Sequence, residues 1–583
     1  MNKLLTENIN RVWSSLIVDE LIKNGVTNYY ISPGMRNAPL IAALSHFKNL
    51  NNTIQIITCM DERAAAYRAL GFAKATGQPV VLICTSGTAM ANYYPAVIES
   101  KKSNLPLVII SADRPAELNF CDDNQTMDQI KLYGNYVQGD LNLGAPSVEV
   151  SPLALTSSVS NLIHKALFPQ KGPVHFNLPF REPLEATKKE IPNEYLDLAK
   201  LQINRNEAST KYVSINTIPT KLELEYISSI LAKTKKGLLV IGSLNPYDDV
   251  GPVREFIKTL NWTTYYDVSS SLKFEFNLEQ KALPTFDHPE IQAELVKNPP
   301  ETIFHVGGRL TSKHYYTFLK QVPSINLITL SLNKEKEDPS HHTKFRINSD
   351  INSTVTALQL ELCEKKRFPE ELDLEVSSFT KEKIELINSG PLSYPKISKT
   401  IVDNIENNTV LYLGNSTTVR SFDAYFSYQV KKQIKIATNR GVSGIEGFIA
   451  SACGYIDGSN QDVTLILGDV SFIHDLNSLY FLPSLKKKLK IVLINNKSGG
   501  IFTLLPINSE TDVIDYITSP HDHNFEYAAR LVNIDYIRID NEIDLLDGFK
   551  KLQENKNHCI LEIVVNNDIN KAVYQKLRTI KNE

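Results

Sequence analysis

The chain has 583 residues, which at about 150 residues per domain predicts three or four domains. Apolar residues make up 42% and charged residues 22%, a composition that excludes disordered and fibrous proteins. The 62 basic and 65 acidic side chains give a formal net charge of −3, which excludes a general electrostatic attraction to nucleic acid or to anionic membranes.

Six cysteines without CxxC spacing argue against a disulfide framework, a zinc ribbon and a thioredoxin-type redox site. Residues 1–25 have the pattern of an amphipathic helix with acidic residues, not that of a signal peptide. No apolar run approaches the roughly 18 residues that a membrane span needs. We therefore expect a cytoplasmic protein without a membrane span.

Short β-branched runs alternate with helix-length amphipathic stretches, the pattern of parallel sheets with helical crossovers. The first block, residues 1–185, has five apolar runs that suit strands covered on both faces. The strands predicted there are Thr27–Ser32, Thr53–Cys59, Pro79–Thr85, Leu105–Ser111 and Pro173–Leu178. The polar stretch 186–220 that follows is predicted to be a linker.

Two further blocks follow the linker. The central block, residues 221–350, has predicted strands at Gly237–Gly242, Thr302–Gly307 and Ile325–Ser331. A charged, helical connector, residues 351–392, leads to the third block, residues 393–583. The strands predicted in the third block are Thr409–Leu413, Lys435–Thr438, Val463–Leu467, Lys490–Asn495 and Ile560–Val565. The fold class is therefore predicted as α/β, with three doubly wound, mostly parallel-sheet domains.

Gly-Asp and Asn-Asn follow two neighbouring apolar strands of the third block, at Gly468-Asp469 and Asn495-Asn496. The carboxyl ends of parallel strands share one sheet edge, where open α/β sheets bind ligands. Asp and Asn oxygens suit Mg²⁺, which also takes phosphate oxygens, and helix N-termini add N–H donors to a diphosphate. Ordinary strand-ending turns are the alternative. The GDxS order and the 27-residue spacing favour a metal–diphosphate site.

These motifs resemble the diphosphate site of thiamine-diphosphate (ThDP) enzymes. More narrowly, the chain resembles the family of 2-succinyl-5-enolpyruvyl-6-hydroxy-3-cyclohexene-1-carboxylate synthases of menaquinone biosynthesis, over almost its whole length. The matching stretches are ISPGMRNAPL, DERAAAYRALGFAKATG, TSGTAMANYYPAVIES, SADRPAELNFCDDNQ, KGPVHFNLPFREPL, GNSTTVRSFDAY, NRGVSGIEGF, GDVSFIHDLNSL and NNKSGGIFTLLP.

The resemblance implies ThDP with Mg²⁺ (or Mn²⁺) as cofactors and identifies the three blocks as pyrimidine-binding, central and diphosphate-binding domains. It places a carboxylic acid, Glu62, on N1′ of the aminopyrimidine, where it favours the imino tautomer that removes the thiazolium C2 proton. A dry pocket should raise the pKa of that acid. Because family members hold pyrimidine and diphosphate with different subunits, the resemblance implies a homodimer or a dimer of dimers.

The resemblance also assigns residues to each part of the cofactor. Metal ligands would be Asp469, Asn496 and the backbone carbonyl of Ser498. The other implied cofactor contacts lie on turns near the pyrimidine, on the diphosphate loop and on the apolar wall around the thiazolium. They are Ser86, Gly87, Asn124, Gly468, Val470, Ser471, Ile445, Ile501, Phe502 and Leu505.

Five basic residues fall just beyond a predicted strand or on the next helical turn; they are Arg36, Arg114, Lys313, Arg420 and Arg440. Isolated residues of this kind are usually solvated or paired with a surface acid. By resemblance they would instead converge on the carboxylates of 2-oxoglutarate and isochorismate, with Gln125 and Ser416 beside them. The implied reaction is decarboxylation of 2-oxoglutarate and 1,4-addition of the resulting carbanion to isochorismate.

Several positions depart from the family pattern. Met35 stands where the family usually has Ser, His314 where a second basic residue is frequent, and Lys497 where Gly, Asn or Asp is usual. Met35 and His314 leave open a ThDP-dependent 2-oxo acid decarboxylase or carboligase with another acceptor. A non-catalytic ThDP-binding scaffold is a further alternative, against which the presence of Glu62, Asp469 and Asn496 argues. The histidines of 341–342 and 521–523 are predicted to lie in surface loops without metal.

Overall fold

A computed structural model describes residues 3–275, 282–372, 377–426 and 430–580. They form three sheets, and every strand ladder among these residues is parallel. Parallel strands covered by helices on both faces explain the continuous apolar runs of the sequence. The predicted α/β fold with three parallel-sheet domains is confirmed.

The first sheet has the strand order β2-β1-β3-β4-β6-β5. Its strands are β1 (Asn28–Ile31), β2 (Gln55–Thr58), β3 (Val80–Cys84), β4 (Leu107–Asp113), β5 (Asp140–Asn142) and β6 (Val174–Pro179). The helices of this part of the chain are α1 (Ile9–Lys23), α2 (Ala38–Leu50), α3 (Glu62–Thr76), α4 (Ala89–Asn92), α5 (Tyr94–Ser103), α6 (Pro152–Leu167) and α7 (Asn193–Ile203).

The second sheet has the order β11-β10-β9-β7-β8. Its strands are β7 (Gly237–Ile241), β8 (Thr263–Tyr266), β9 (Thr302–Val306), β10 (Asn326–Leu330) and β11 (Thr343–Ile347). The helices here are α8 (Lys221–Lys233), α9 (Gly251–Leu260), α10 (Pro289–Lys297), α11 (His314–Gln321), α12 (Ile351–Cys363) and α13 (Ser377–Ser389). Helices α12 and α13 make the connector helical, as predicted.

The third sheet has the order β13-β12-β14-β15-β17-β16. Its strands are β12 (Thr409–Leu413), β13 (Ile434–Ala437), β14 (Val463–Gly468), β15 (Leu489–Asn495), β16 (Asp535–Ile539) and β17 (Cys559–Val564). The helices are α14 (Tyr394–Asn404), α15 (Thr417–Ala424), α16 (Phe448–Ser459), α17 (Asp469–His474), α18 (Thr511–Thr518), α19 (Glu526–Leu531), α20 (Leu545–Glu554) and α21 (Asn567–Thr579).

The predicted strands are all present, with ends shifted by one or two residues, and the strands that the sequence pattern missed are β5, β8, β11 and β16. All four lie at sheet edges. An edge strand is paired on one side only and is less fully covered, so it lacks a continuous apolar run. The segment DLN of β5 and the segment DYIRI of β16 are examples.

The stretch 186–220, predicted to be a linker, contains helix α7. Its residues Tyr195, Ala199 and Ile203 follow one another at a spacing of four and are buried in the apolar core of the first sheet. This spacing places them on one helix face. Part of the predicted linker is therefore packed structure, and the exact domain bounds stay a prediction.

The contacts divide the chain into two compact units. Unit 1 comprises residues 1–215, 439–460 and 477–481, and unit 2 comprises residues 216–438, 461–476 and 482–583. Unit 1 therefore holds the first sheet together with helix α16. Unit 2 holds the second and third sheets, and one apolar cluster contains buried side chains of both sheets. None of the described helices has both the length and the apolar character to span a bilayer.

Glycines allow helices α3 and α16 of unit 1 to pack at very short distance. A Cβ added to Gly71 would lie 1.9 Å from the carbonyl oxygen of Ser451, and one added to Gly454 would lie 1.7 Å from that of Arg68. The Arg68 guanidinium binds Asp457 through two hydrogen bonds of 2.8 and 3.1 Å. This packing fixes the axis of α3, the helix that begins with Glu62.

Candidate active site

The residues singled out in the sequence are divided between the two units. Unit 1 contains Arg36, Glu62, Ser86, Gly87, Arg114, Asn124, Gln125, Arg440 and Ile445. Unit 2 contains Lys313, Ser416, Arg420, Gly468, Asp469, Val470, Ser471, Asn496, Ser498, Ile501, Phe502 and Leu505.

In unit 1, strands β1, β3 and β4 end side by side. Ile31 pairs with Ile83, and Cys84 pairs with Ser111, so the loops after these strands leave the same sheet edge. Such an edge is where α/β sheets bind ligands.

Arg114 joins the loops at this edge. Its guanidinium donates to Ser86 Oγ at 2.8 Å, to Asp123 Oδ2 at 2.9 Å and to the Asn124 carbonyl at 2.7 Å. A guanidinium has five N–H donors, so these bonds leave two for a ligand. The structure thus brings together Arg114, Ser86 and Asn124, with Asp123 as an unpredicted partner.

Gly87 and Gln125 form the neighbouring turn with positive φ angles of 80° and 58°. The Gln125 amide donates to the Ser86 carbonyl at 3.0 Å. The Gly87 N–H donates to Gln129 Oε1 at 2.7 Å, and the Gln129 amide is fully hydrogen-bonded to Ala112 and Asn177. Sequence reasoning missed Gln129 because its role depends on chain segments far apart in sequence.

Arg36 lies on the short turn after β1. Its guanidinium is largely buried, donates to the Phe180 carbonyl at 2.9 Å and lies 3.9 Å from the Glu182 carboxylate. Burial and the nearby charge of Arg114 lower the pKa of Arg36. Met35, beside it, is 64% exposed. Met35 therefore does not fill a gap in the core.

Glu62 is the first residue of helix α3, and the preceding Asp61 caps the helix by accepting from the Ala64 N–H at 3.1 Å. The Glu62 side chain is half-buried. Burial raises the pKa of Glu62, its own backbone N–H partly opposes the rise, and the charge of Asp61 adds to it. Glu62 is close enough to Cys84 that its charge, after burial, raises the pKa of that thiol. The acid therefore faces the end of β3.

Arg440 and Ile445 lie on the loop before helix α16. Glu99, itself buried, accepts hydrogen bonds of 2.8 Å from the backbone N–H groups of Gly441 and Val442. Gly447 has φ +72° and packs against the Tyr67 ring of α3, where a Cβ would lie 2.0 Å from Cγ. Glu99 was missed by sequence reasoning, since no local pattern marks a carboxylate that anchors a distant loop.

In unit 2, Asp469 lies at the edge shared by β14 and β15. Its Oδ1 accepts from the Val470 N–H at 2.8 Å, and its Oδ2 accepts from the N–H groups of Asn496 and Ser498 at 3.0 and 3.2 Å. Burial raises the pKa of Asp469 to about 6, although these N–H groups oppose the rise. The proposed metal ligands Asp469, Asn496 and Ser498 thus lie together, as their positions on adjacent parallel strands predict.

The turn after Asn496 is held by Asn567, which sequence reasoning did not identify, and by Lys497. The Asn567 amide donates to the Asn496 carbonyl at 3.1 Å and to Ser498 Oγ at 3.0 Å. Lys497 adopts φ +60° and donates from Nζ to Asp522 at 2.5 Å. Lys497 therefore binds a neighbouring loop.

His521 lies in a loop whose neighbouring residues are exposed, as predicted, but its own side chain is turned inward. That side chain is only 9% exposed, and its Nε2 lies 3.3 Å from Asp469 Oδ2. The neighbouring His523 is exposed, as predicted. The sequence around both histidines is polar and gives no sign of this difference. The difference arises because loop 519–525 folds back over the Asn496 turn.

Of the remaining unit 2 residues, Arg420 lies in helix α15, and turns carry Ser416, Lys313, Ile501 and Phe502. Ser416 has the uncommon backbone angles φ +64° and ψ −133°, and its carbonyl accepts from Arg420 at 2.6 Å. Lys313 is exposed and precedes His314 at the start of α11. Ile501 and Phe502 are half-buried in a 3-10 turn.

Asp287, which no motif indicated, links the basic residues of unit 2. It accepts from Ser312 Oγ at 2.5 Å and lies 3.9 Å from His314 Nε2. Burial lowers the pKa of His314, whereas the charge of Asp287 opposes that change. Burial lowers the pKa of Arg420, and the same Asp287 carboxylate opposes that change. His314 and Arg420 therefore both lie within the electrostatic influence of one acid.

The donor set at Asp469 fits a hydrated divalent cation bound to a diphosphate. It offers a carboxylate, an amide oxygen and backbone carbonyls, the hard oxygen ligands of Mg²⁺. The turn is glycine-dependent, because a Cβ on Gly500 would lie 2.1 Å from Asn496 Nδ2. The buried Nε2 of His521 has no hydrogen-bond partner among the described residues. No cluster of three His, Cys, Asp or Glu side chains suited to a metal occurs in the described ranges.

Comparison with known proteins identifies the class of protein. The family described as "Thiamine pyrophosphate enzyme, N-terminal TPP binding domain" matches residues 12–132, and "Middle domain of thiamine pyrophosphate" matches residues 206–413. With three parallel sheets and the Asp469–Asn496 edge, the protein is of the thiamine-diphosphate-dependent enzyme class.

Curated relatives narrow the class further. The chain is 37% identical to the 2-succinyl-5-enolpyruvyl-6-hydroxy-3-cyclohexene-1-carboxylate synthase of Syntrophus aciditrophicus (strain SB), over 99% of each chain. It is 33% identical to that of Prosthecochloris aestuarii and 31% to that of Chlorobium phaeovibrioides, each over 98% of this chain and 97% of the relative. The chain belongs to the family of 2-succinyl-5-enolpyruvyl-6-hydroxy-3-cyclohexene-1-carboxylate synthases.

Proposed function

We propose that the protein catalyses the ThDP-dependent decarboxylation of 2-oxoglutarate and 1,4-addition of the remaining four-carbon unit to isochorismate. The product is 2-succinyl-5-enolpyruvyl-6-hydroxy-3-cyclohexene-1-carboxylate, and the protein acts as a transferase of menaquinone biosynthesis in the cytoplasm. The observation that carries the proposal is that this chain is 37% identical to a synthase of this name over 99% of each chain. ThDP, when bound, supplies the electron sink that makes loss of CO₂ from a 2-oxo acid possible.

Asp469, Asn496 and the Ser498 carbonyl would hold Mg²⁺ or Mn²⁺, and the metal would hold the cofactor diphosphate. Three backbone N–H groups already fix both carboxylate oxygens of Asp469, so the ligand does not have to be ordered when the metal arrives. The Gly468–Ser471 segment would provide the other contacts to this group. Pre-positioned ligands lower the entropic cost of binding.

Glu62 would share a proton with the aminopyrimidine. Burial raises the pKa of Glu62, which favours the protonated form more than in a fully exposed Glu and suits a side chain that shares a proton. The turn of Ser86, Gly87, Asn124 and Gln125 borders the same strand ends. Ile445, Ile501 and Phe502 would exclude water from the thiazolium.

The basic side chains would orient both substrates. Arg36 and Arg114 in unit 1, and Lys313 and Arg420 in unit 2, suit carboxylates through charge-assisted hydrogen bonds. Arg440 and Ser416 would complete the set. Much of the acceleration would come from holding the two reacting carbons in register and from stabilising developing charge.

We further propose that the working unit is a homodimer, or a dimer of dimers, in which Glu62 of one chain serves the cofactor bound at Asp469 of its partner. This assignment rests on the family resemblance.

The test of function is a coupled assay. Purified protein with ThDP, Mg²⁺, 2-oxoglutarate and isochorismate should release CO₂ and consume isochorismate in equal amounts. Omission of isochorismate controls for uncoupled decarboxylation. Replacement of 2-oxoglutarate by pyruvate tests the alternative that the protein is a different carboligase. The departure from the family pattern at Met35 is the reason for testing this alternative. Preference for pyruvate, or CO₂ release without isochorismate consumption, would reject the proposed reaction.

A further inference from the structure

The segment around His521 is tied to the turn that carries the proposed metal ligands. The Gly499 N–H donates to the Thr518 carbonyl at 2.6 Å, and the His521 N–H donates to the Lys497 carbonyl at 3.0 Å. The Lys497 ammonium donates to Asp522. The position of the His521 ring relative to Asp469 is therefore set by three bonds between the two segments.

Aromatic contacts fix the ring further. The His521 imidazole stacks on that of His523 with 4.9 Å between centroids, and it meets Phe525 edge-on at 5.9 Å. Phe525 in turn packs edge-on against Phe472 of α17, the helix that Asp469 begins. A ring held from two sides keeps its nitrogen atoms in defined places.

The hydrogen bonds assign the tautomer of His521. The backbone N–H of His523 donates to Nδ1, so Nδ1 is an acceptor and the proton of the neutral ring is on Nε2. Nε2 is buried and has no hydrogen-bond partner among the described residues, although Asp469 Oδ2 lies 3.3 Å away. That oxygen already accepts two backbone N–H groups. A buried donor without an acceptor costs free energy unless a ligand satisfies it.

We propose that His521 is a further binding residue of this site, whose Nε2–H donates to a diphosphate oxygen of the ligand held at Asp469, Asn496 and Ser498. The inference rests on the proposed cofactor site. The ligand class follows from chemistry: an N–H donor beside a metal-binding carboxylate suits an anion that also binds the metal. Hydrogen bonds from such donors to phosphate oxygens are stronger than neutral ones.

Two substitutions separate the donor from the ring. His521→Phe keeps the aromatic packing and removes the N–H, whereas His521→Gln removes the ring and keeps an amide N–H. We expect His521→Phe to raise the dissociation constant for ThDP, measured by calorimetry at saturating Mg²⁺, by about tenfold. His521→Gln should change it by less than about threefold. His523→Phe, a matched change on the exposed neighbour, should leave it unaltered.

A second probe locates the effect on the diphosphate. Inorganic diphosphate with Mg²⁺ should bind the apo protein more weakly in His521→Phe by a similar factor, and the loss should be the same with Mn²⁺. Equal affinities of His521→Phe and the unaltered protein would overturn the inference, as would a loss confined to Mn²⁺, which would make the imidazole a metal ligand. If the unaltered protein itself bound no ThDP, the proposed cofactor site would be wrong, and the inference about His521 would be overturned together with it. Thermal unfolding of each apo variant checks the fold.

Discussion

Single residues in this protein have properties that their neighbours impose. Glu62 and Asp469 are both acids that begin a helix after a strand, and burial raises the pKa of each, but their surroundings differ. Asp469 is almost fully buried and bonded to backbone N–H groups, whereas Glu62 is half-buried beside Asp61. The first suits a metal ligand, and the second suits a residue that shares a proton.

Replacing Glu62 by Gln should separate catalysis from binding. The amide has nearly the same shape but cannot exchange the proton, so we expect kcat to fall by about 10² to 10⁴. The calorimetric affinity for ThDP with Mg²⁺ and the unfolding midpoint should stay near normal. Asp61→Asn, which keeps the helix cap, is the control and should lose far less activity. Near-normal turnover in Glu62→Gln would contradict the assigned role.

The pKa of about 6 at Asp469 predicts how metal binding depends on pH. Because the metal binds the ionised carboxylate, the apparent dissociation constant for Mg²⁺ with ThDP should rise about tenfold per pH unit below pH 6. The stability of the apo protein should depend on pH in the opposite direction to metal affinity. The folded-state pKa lies above the ordinary value, so stability is lost as the pH rises from about 4 through 6. Titrations of the protein with Mg²⁺ and ThDP at pH 5, 6 and 7 would measure the change in metal affinity. An affinity that stays constant would contradict the prediction.

The positions of several helices depend on close packing and on buried charged side chains. Helices α3 and α16 approach through glycines, while α15, which carries Arg420, is held by a buried ion pair. Lys273 Nζ lies 2.9 Å from Asp423 Oδ1, both side chains are fully buried, and Asp423 also accepts from Tyr265 at 2.7 Å. Both arrangements place a functional side chain through contacts distant in sequence.

Gly71→Ala should damage unit 1. The added Cβ would meet the Ser451 carbonyl, a backbone atom that cannot move aside, so we expect destabilisation of about 3 kcal/mol or more, measured by urea unfolding. Gly548→Ala in α20 is the matched control, because its Cβ would meet only flexible Ile539 and Leu561 side chains. That variant should be neutral or slightly stabilised. Equal stability of the two variants would rule out the close-packing argument.

Lys273→Met should destabilise unit 2 by about 3–5 kcal/mol, since it leaves the Asp423 carboxylate buried without its partner. The double variant Lys273→Met with Asp423→Leu should recover part of the loss. Removing the exposed pair Lys258–Glu255 is the control and should cost less than about 0.5 kcal/mol. The measurement is the free energy of unfolding in urea. A loss as small as that of the exposed pair would show that Asp423 is not held by Lys273.

At the scale of the whole molecule, the proposed assembly can be tested by complementation. If each site takes Glu62 from one chain and Asp469 from the other, Glu62→Gln and Asp469→Asn chains should be inactive alone. Mixed chains that exchange freely should regain about a quarter of normal activity, because half the dimers are mixed and each has one intact site. Light scattering on the mixture checks that dimers form. No recovery in a mixture with proven exchange would place both residues of a site in one chain.

The sequence predicted the interior strands and the metal-binding edge but not the supporting residues. Fully buried parallel strands need continuous apolar runs, and a Gly-Asp and an Asn-Asn that end adjacent strands necessarily meet at one edge. Edge strands such as β5 have no such requirement. Gln129, Asp287 and Asn567 act through partners 40 or more residues away or through spatial clusters, so no local spacing reveals them.

The amino-acid sequence by itself determined the fold class, the family and the candidate residues for the chemistry, because periodicity and motif order are local properties of a chain. Only the tertiary structure decided which of two similar histidines, His521 or His523, turns toward Asp469. It also decided that Glu99 anchors the Arg440 loop and that Met35 is exposed. These outcomes depend on burial and on hydrogen bonds between distant segments, which exist only once the chain has folded.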